Sequence, residues 1–248
     1  MTKARDILIA TVIKNKGDWD KTYQDITNKY YPSEEEIAKA SEVECITLLD
    51  SEYPTALKQG FKPPFVLFYK GDKTLLNGEQ PLAILGTRNP KETTLNFTER
   101  LVAKLSDKKI ITKLSLGVDT KVVETALKNG NKTIVLMCSG IDYCYPASNK
   151  ELYEKVAEQG LIISELPFDT LPSQNASAYT NRIIASLCSK LLVADLVKQS
   201  GVYIAISQAL QNGKDIYVKP DLEDEESAEN QLIEEGAYCL TLSTTFNC

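Results

Sequence analysis

Histidine is absent from all 248 residues. That one omission removes Ser-His-Asp and Cys-His triads, HExxH metal sites and any imidazole general base from consideration. The six cysteines, at 45, 138, 144, 188, 239 and 248, include no CxxC pair. Neither a zinc knuckle nor a disulfide scaffold is expected, and they read as buried, reduced thiols. No run of about 18 apolar residues is available to span a bilayer, and Met1-Thr2-Lys3-Ala4-Arg5-Asp6 lacks the apolar core of a signal peptide. The expectation is a soluble, cytoplasmic protein with no membrane partner. Arginine occurs at only four positions, 5, 88, 100 and 182, and 28 basic against 34 acidic side chains leave a net charge of −6. A broad basic field that would hold nucleic acid nonspecifically is missing, although a local patch is not excluded. GxGxxG, the Walker loop and kinase signatures are also absent, which takes away the usual dinucleotide and phosphoryl-transfer readings. No metal or cofactor is expected.

The chain is 43% apolar and 25% charged, and long enough for one main core with a smaller one appended. Residues 1–50 read as a small helical lobe, with helical spacing over 6–13 and 20–30 and a helix start at Pro32-Ser33-Glu34-Glu35-Glu36. Residues 51–80 read as a connector: Tyr53-Pro54 and Pro63-Pro64 break the chain before a short strand over 65–69. From 81 to 248, apolar runs of strand length at 82–85, 110–112, 133–137, 161–163, 191–194 and 216–218 alternate with helical segments at 93–105, 122–127, 149–157 and 202–211. This is the pattern of an α/β protein with a doubly wound, mainly parallel, Rossmann-like sheet. Ligands of such sheets bind outside the carboxyl ends of the strands.

The turn at the exit of each strand is therefore the place to look. Gly86-Thr87-Arg88 combines a close-approach glycine, a hydroxyl and a guanidinium, a set suited to phosphate, though also readable as a plain turn with a surface arginine. Gly117 and Asp119 precede a helix that Asp119 or Thr120 is placed to cap. Ser139-Gly140 forms a small-residue turn, with Tyr143 or Tyr145 nearby to stack on a base or simply to pack. Glu165 is either an acceptor for a ribose diol or a turn carboxylate. Asn181-Arg182 opens a helix with a second cation, and Ser200-Gly201 opens another whose backbone N–H groups suit phosphate.

The order of these turns resembles the Rossmann-type domain of the DprA/Smf family of DNA-processing proteins, over residues 53–237. Carrying it are Gly86-Thr87-Arg88, Gly117-Val118-Asp119-Thr120, Gly140-Ile141-Asp142 with Tyr145-Pro146 and Asn149, Ser164-Glu165-Leu166-Pro167, Asn181-Arg182-Ile183-Ile184-Ala185 and Ser200-Gly201. The resemblance implies single-stranded DNA binding, loading of a RecA-type recombinase, a homodimer formed through the Rossmann domain and no catalysis. The sequence departs from the family pattern at Leu116 and Thr180, where arginines are expected, and has no room for the winged helix that many relatives carry.

Fewer phosphate-facing arginines suggest a compact ligand. The first expectation is accordingly a non-catalytic protein holding a phosphorylated nucleotide, of the cyclic-nucleotide or ADP-ribose type, for sensing or for sequestration such as a phage anti-defence sponge. The ligand-binding set would be Gly86, Thr87, Arg88, Gly117, Asp119, Ser139, Gly140, Tyr145, Glu165, Asn181, Arg182, Ser200 and Gly201. The alternative is a single-stranded DNA-binding recombination mediator, with Lys104, Lys108, Lys109, Lys113 and Arg88 as the track for the strand. A nucleotide-cleaving enzyme using Glu165 or Asp119 is a third class, but the Pro-Gly-Gly-x-Gly-Thr-x-x-Glu motif of phosphoribohydrolases is missing. Residues 221–235 carry eight acidic side chains and no basic one, a solvated face or a device that repels nucleic acid from one edge. The remainder of 81–248, with 17 basic against 13 acidic side chains, is mildly basic.

Overall fold

The computed structural model describes residues 3–172, 176–197 and 200–246. Three helices open the chain: α1 (Lys3–Lys14), α2 (Trp19–Thr27) and α3 (Glu34–Ser41). The start of α3 is where the sequence placed it. Ser33 accepts from the Glu36 backbone, and the Glu36 side chain accepts from the Ser33 backbone in return, a complete capping box.

Strand β1 (Cys45–Thr47), the short helix α4 (Thr55–Lys58) and β2 (Val66–Gly71) follow. The segment read as a connector does more than dock. β2 pairs antiparallel with β1 on one side and with β6 (Leu161–Ser164) on the other, so it extends the main sheet. Between lie β3 (Leu82–Leu85), α5 (Glu92–Lys104), β4 (Ile110–Lys113), α6 (Val118–Asn129), β5 (Thr133–Leu136) and α7 (Lys150–Gln159). After β6 come α8 (Ala176–Leu187), β7 (Lys190–Val193), α9 (Val202–Gln211), β8 (Asp215–Val218), α10 (Ala228–Glu234) and β9 (Tyr238–Cys239). The nine strands form one sheet in the order β1-β2-β6-β5-β4-β3-β7-β8-β9, parallel from β6 through β9.

Strands β3 to β6 are buried at every position, as befits parallel strands covered on both faces. Alternation decides which layer each residue joins. Ala83 and Leu85 pack with Ile183, Ile184 and Ala205 of α8 and α9, while Leu82 and Ile84 pack with Leu101, Val122 and Ala126 of α5 and α6. On that second face, toward the β2 end, α1 inserts Leu8, Ile9 and Val12 among Phe68, Val135 and Ile162. The helical lobe and the sheet thus share a core. At about 1.5–3 kcal/mol for each large apolar side chain removed from water, those contacts weld them together.

Cys45 and Cys188 are buried, Cys138 and Cys144 half-buried and Cys239 exposed, all as free thiols; Cys248 lies outside the described residues. Burial pushes the Cys45 thiol up to about 11 and the Cys188 thiol to about 12, which leaves both unreactive. Among the described residues, no helix is long and apolar enough to cross a membrane.

Candidate functional site

The chain leaves β3 through α5 toward β4 and leaves β7 through α9 toward β8, on opposite sides, although β3 and β7 are hydrogen-bonded neighbours. Diverging connections open a crevice at the carboxyl ends of the two strands. Gly86-Thr87-Arg88 forms one wall and Ser200-Gly201 with the start of α9 the other, around a cavity of about 480 Å³ also lined by Lys113 and Ser115.

Two glycines make the first wall possible. A Cβ on Gly86 would lie 2.5 Å from Val118 Cγ2, so α6 approaches only because none is there. Gly117 has φ +73°, and a Cβ on it would stand 2.4 Å from the Thr87 carbonyl oxygen and 2.5 Å from that of Arg88. The Val118 N–H donates to Thr87 O at 3.1 Å. Thr87 Oγ1 donates to Asp195 Oδ2 at 2.5 Å, which ties the two walls. Arg88, by contrast, is exposed, and no carboxylate among the described residues lies within ion-pair distance of it. No side chain caps the N-terminus of α9, whose positive end faces the same cavity.

Several candidate residues turn out to brace this site from within. Asp119 is fully buried beneath it, accepts from the Gly86 N–H and pairs with Lys113 Nζ at 3.5 Å. Burial pushes its carboxyl above the ordinary value, against the pull of Lys113 and Gly86. Asn181, also fully buried, donates Nδ2 to the Gly201 carbonyl at 2.5 Å and so fixes the second wall from α8. Its Oδ1, like Ser200 Oγ, has no hydrogen-bond partner among the described residues. Asn149 supports the β4 turn, donating to Ser115 O at 3.1 Å and to Thr120 Oγ1 at 3.0 Å.

Other candidates lie elsewhere. Arg182 is buried and donates to Glu165 Oε1 at 2.6 Å, Tyr179 O at 2.7 Å and Lys62 O at 3.1 Å; it does not reach the crevice as a second cation. Glu165 is raised chiefly by burial, with the Arg182 charge opposing. Ser139 is fully buried and donates to Tyr143 O at 2.6 Å, while Gly140 is covered by the 167–170 turn, its N–H donating to Thr170 O at 2.7 Å. Tyr145, 40% exposed, stands outside this cavity.

The lysine track read from the sequence does not exist as one surface. Lys109 and Lys113 flank β4 at its two ends, and Lys109 donates to Leu75 O and Asn77 O, at the amino edge of the sheet. Lys108 pairs with Glu79 and Asp107, and Lys104 donates to Leu242 O. Only Lys113 and Arg88 of that set face the carboxyl edge. Missed altogether were Asp195 and Glu229. Glu229, in the acidic stretch, is buried, accepts from the Leu196 N–H at 2.8 Å and lies against Asp195. A charged residue directly after the apolar run 191–194 was the available signal for Asp195. The acidic stretch also meets the crevice's own side of the molecule, Lys91 pairing with Glu223 at 2.6 Å and Asp221 at 3.7 Å.

The profile of the family described as "DNA recombination-mediator protein A" matches residues 44–246. The chain belongs to that family. It is 32% identical over 198 residues to the DNA processing protein DprA of Streptococcus pneumoniae, covering 79% of this chain and 70% of that protein. The X-ray structure of DprA from S. pneumoniae superposes with a TM-score of 0.80 at 27% identity, over 97% of this chain and 90% of that one. A structure of DprA from Helicobacter pylori, whose description concerns its single-stranded DNA binding mode, matches with a TM-score of 0.71 at 29% identity, over 80% of this chain and 91% of the other.

These relatives correct the first functional expectation. A compact phosphorylated signal held for sensing or sequestration has no counterpart among them; they are DNA-processing proteins, one studied for its binding of single strands. The geometry agrees. Arg88, Val197 at 57% and Ile204 at 40% exposure leave the rim open to solvent, whereas small-ligand pockets enclose most of their guest.

Proposed function

We propose that the chain binds single-stranded DNA in the crevice between the β3 and β7 ends and serves recombination as a binding protein, handing the strand to a RecA-type recombinase in the cytoplasm. Arg88 is the observation that carries this reading: an exposed guanidinium with no carboxylate partner among the described residues, facing an uncapped helix start across an open cleft. In this reading Gly86, Thr87, Arg88, Ser200 and Gly201 meet a phosphate, and Gly117, Asp119 and Asn181 hold them in place. The family membership and the H. pylori relative support the choice of DNA as partner. A phosphate contact from one guanidinium is charge-assisted and geometrically specific, and the rest of the strand can run along the open rim.

Fluorescence anisotropy of a labelled 30-mer oligothymidylate, at two salt concentrations, tests this. Binding should weaken as salt rises, and Arg88→Ala should lose roughly tenfold in affinity and lower the log–log salt slope by about 0.7, the share of one phosphate contact on a single strand. Absence of binding at high micromolar protein overturns it.

A further inference from the structure

The acidic stretch after β8 is held as a defined loop. The Lys219 N–H donates to Val193 O at 2.9 Å, which ties its start to the end of β7. At its other end Ser227 caps α10, and Glu229 of that helix accepts from the Leu196 N–H at 2.8 Å. Between these anchors Asn230 Nδ2 donates to Asp221 O at 2.8 Å and to Asp224 O at 2.9 Å, and Asp224 Oδ1 accepts from the Glu226 N–H at 3.0 Å. A backbone bearing carboxylates at 221, 223, 224, 225 and 226 is thereby fixed beside the carboxyl edge of the sheet.

Two of those carboxylates close on one cation. Lys91 Nζ lies 2.6 Å from Glu223 Oε2 and 3.7 Å from Asp221 Oδ2. Asp221 is oriented for this: its Oδ1 accepts from the Glu223 N–H at 2.9 Å, which leaves Oδ2 for the lysine. Lys91 is the N-cap residue of α5, three positions after Arg88. Glu223 first, Asp221 next and Asp195 more weakly hold its ammonium above the ordinary pKa, so all three carboxylates are within its electrostatic reach. Asp195 is the residue at the end of β7 that Thr87 grips. The bridge therefore runs from the β3 exit, past the end of β7, to the β8 exit, along the flank of the crevice that Arg88 faces.

This closure is reversible by its chemistry. Lys91 and Glu223 are 60% and 67% exposed, and an ion pair so open to water is weak and screened by salt. A phosphate oxygen satisfies an ammonium as a carboxylate oxygen does, and a strand that brings it also releases counterions.

We infer that Lys91 is a second phosphate contact kept closed by Asp221 and Glu223, and that the 221–226 loop is a built-in competitor which a bound strand displaces from it. The inference rests on the strand-binding reading above and adds to that site an internal barrier against weakly held ligands.

Anisotropy of the labelled 30-mer oligothymidylate is read for four full chains: the parent, Asp221→Asn/Glu223→Gln, Lys91→Ala, and all three changes together. The amides keep the shape and the Asp221 acceptor while removing the charge. At low salt the Asp221→Asn/Glu223→Gln chain should bind roughly fivefold more tightly than the parent, with a log–log salt slope steeper by about 0.7, the share of one phosphate contact. Lys91→Ala should cost that chain the whole gain yet cost the parent no more than about twofold, the non-additivity that a closed contact requires. Glu223→Gln alone, at an exposed position, repeats the comparison if the double change disturbs the loop. An equal cost of Lys91→Ala in both backgrounds overturns the closed contact and leaves strand binding standing. A gain that survives Lys91→Ala overturns it as well, since the loop then acts by general repulsion. Absence of binding by all four chains overturns the strand-binding reading, and the closed contact falls with it.

Discussion

Thr87 and Asp195, 108 residues apart, share a 2.5 Å hydrogen bond that joins the turn after β3 to the turn after β7. The bond spans the point where the chain's connections diverge, so it fixes the width of the crevice that Arg88 faces. Thr87→Val keeps the shape and removes the donor, leaving an Asp195 oxygen without its partner at a part-buried position. We expect a loss of about 1–3 kcal/mol in urea unfolding with the m-value unchanged, together with weaker strand binding. Binding that survives intact would show that the crevice keeps its width without this bond.

Gly117→Ala should separate binding from folding. The new Cβ would meet the Thr87 and Arg88 carbonyls inside contact distance at a φ of +73°, so the Arg88 turn must shift. Backbone strain of this kind costs about 1–3 kcal/mol. Circular dichroism should report a folded chain with a lower melting temperature, and anisotropy should report lost oligothymidylate binding.

The buried Glu229 makes a pH prediction. Burial first, and then the neighbouring Asp195, hold its carboxyl above the ordinary value, against the donated Leu196 N–H. A carboxyl raised in the folded state binds its proton more tightly there than in the unfolded chain. Its contribution is therefore complete below the unfolded pKa, about 4.3, and is lost as pH rises through the higher folded value. Glu229→Gln keeps an acceptor for Leu196 and ends the titration. Its melting temperature should fall less than the parent's between about pH 4.5 and 7, and exceed it at pH 7 by about 2–4 °C if roughly 1 kcal/mol is recovered. Parallel pH profiles would refute the assignment.

Ile9→Ala tests whether the helical lobe and the sheet unfold together. Ile9 is fully buried among residues of β2, β5 and β6, and the cavity left behind should cost about 2–5 kcal/mol. Far-ultraviolet dichroism and Trp19 fluorescence should report one coincident transition in both proteins, moved to lower denaturant in the variant. Two separated transitions would mean that the lobe is an independent unit.

The backbone plan was legible because parallel strands buried on both faces leave unbroken apolar runs, and all six runs from 82–85 to 216–218 became strands of one sheet. The capping box at Ser33 and Glu36 was legible for a similar reason: it is a local pattern with a local cause. Side-chain direction at the strand ends was not. Glu165 and Arg182 both stand where a ligand contact would stand, yet they turn inward to each other, and nothing in the spacing of a turn records which way a residue after the last ladder bond will point. The lysine track failed differently. Lys109 and Lys113 are close in sequence, but the four residues of β4 carry the chain from one edge of the sheet to the other. The pairing of β2 with β6 was hidden because an antiparallel partner so far along the chain leaves no trace in either strand alone.

The sheet's outermost strands are its shortest, three residues in β1 and two in β9. Unpaired strand margins are the usual template on which one chain zips onto another. Among the described residues almost no such template is left at either side, so neighbouring copies crowded to high local density carry little risk of fusing strand to strand.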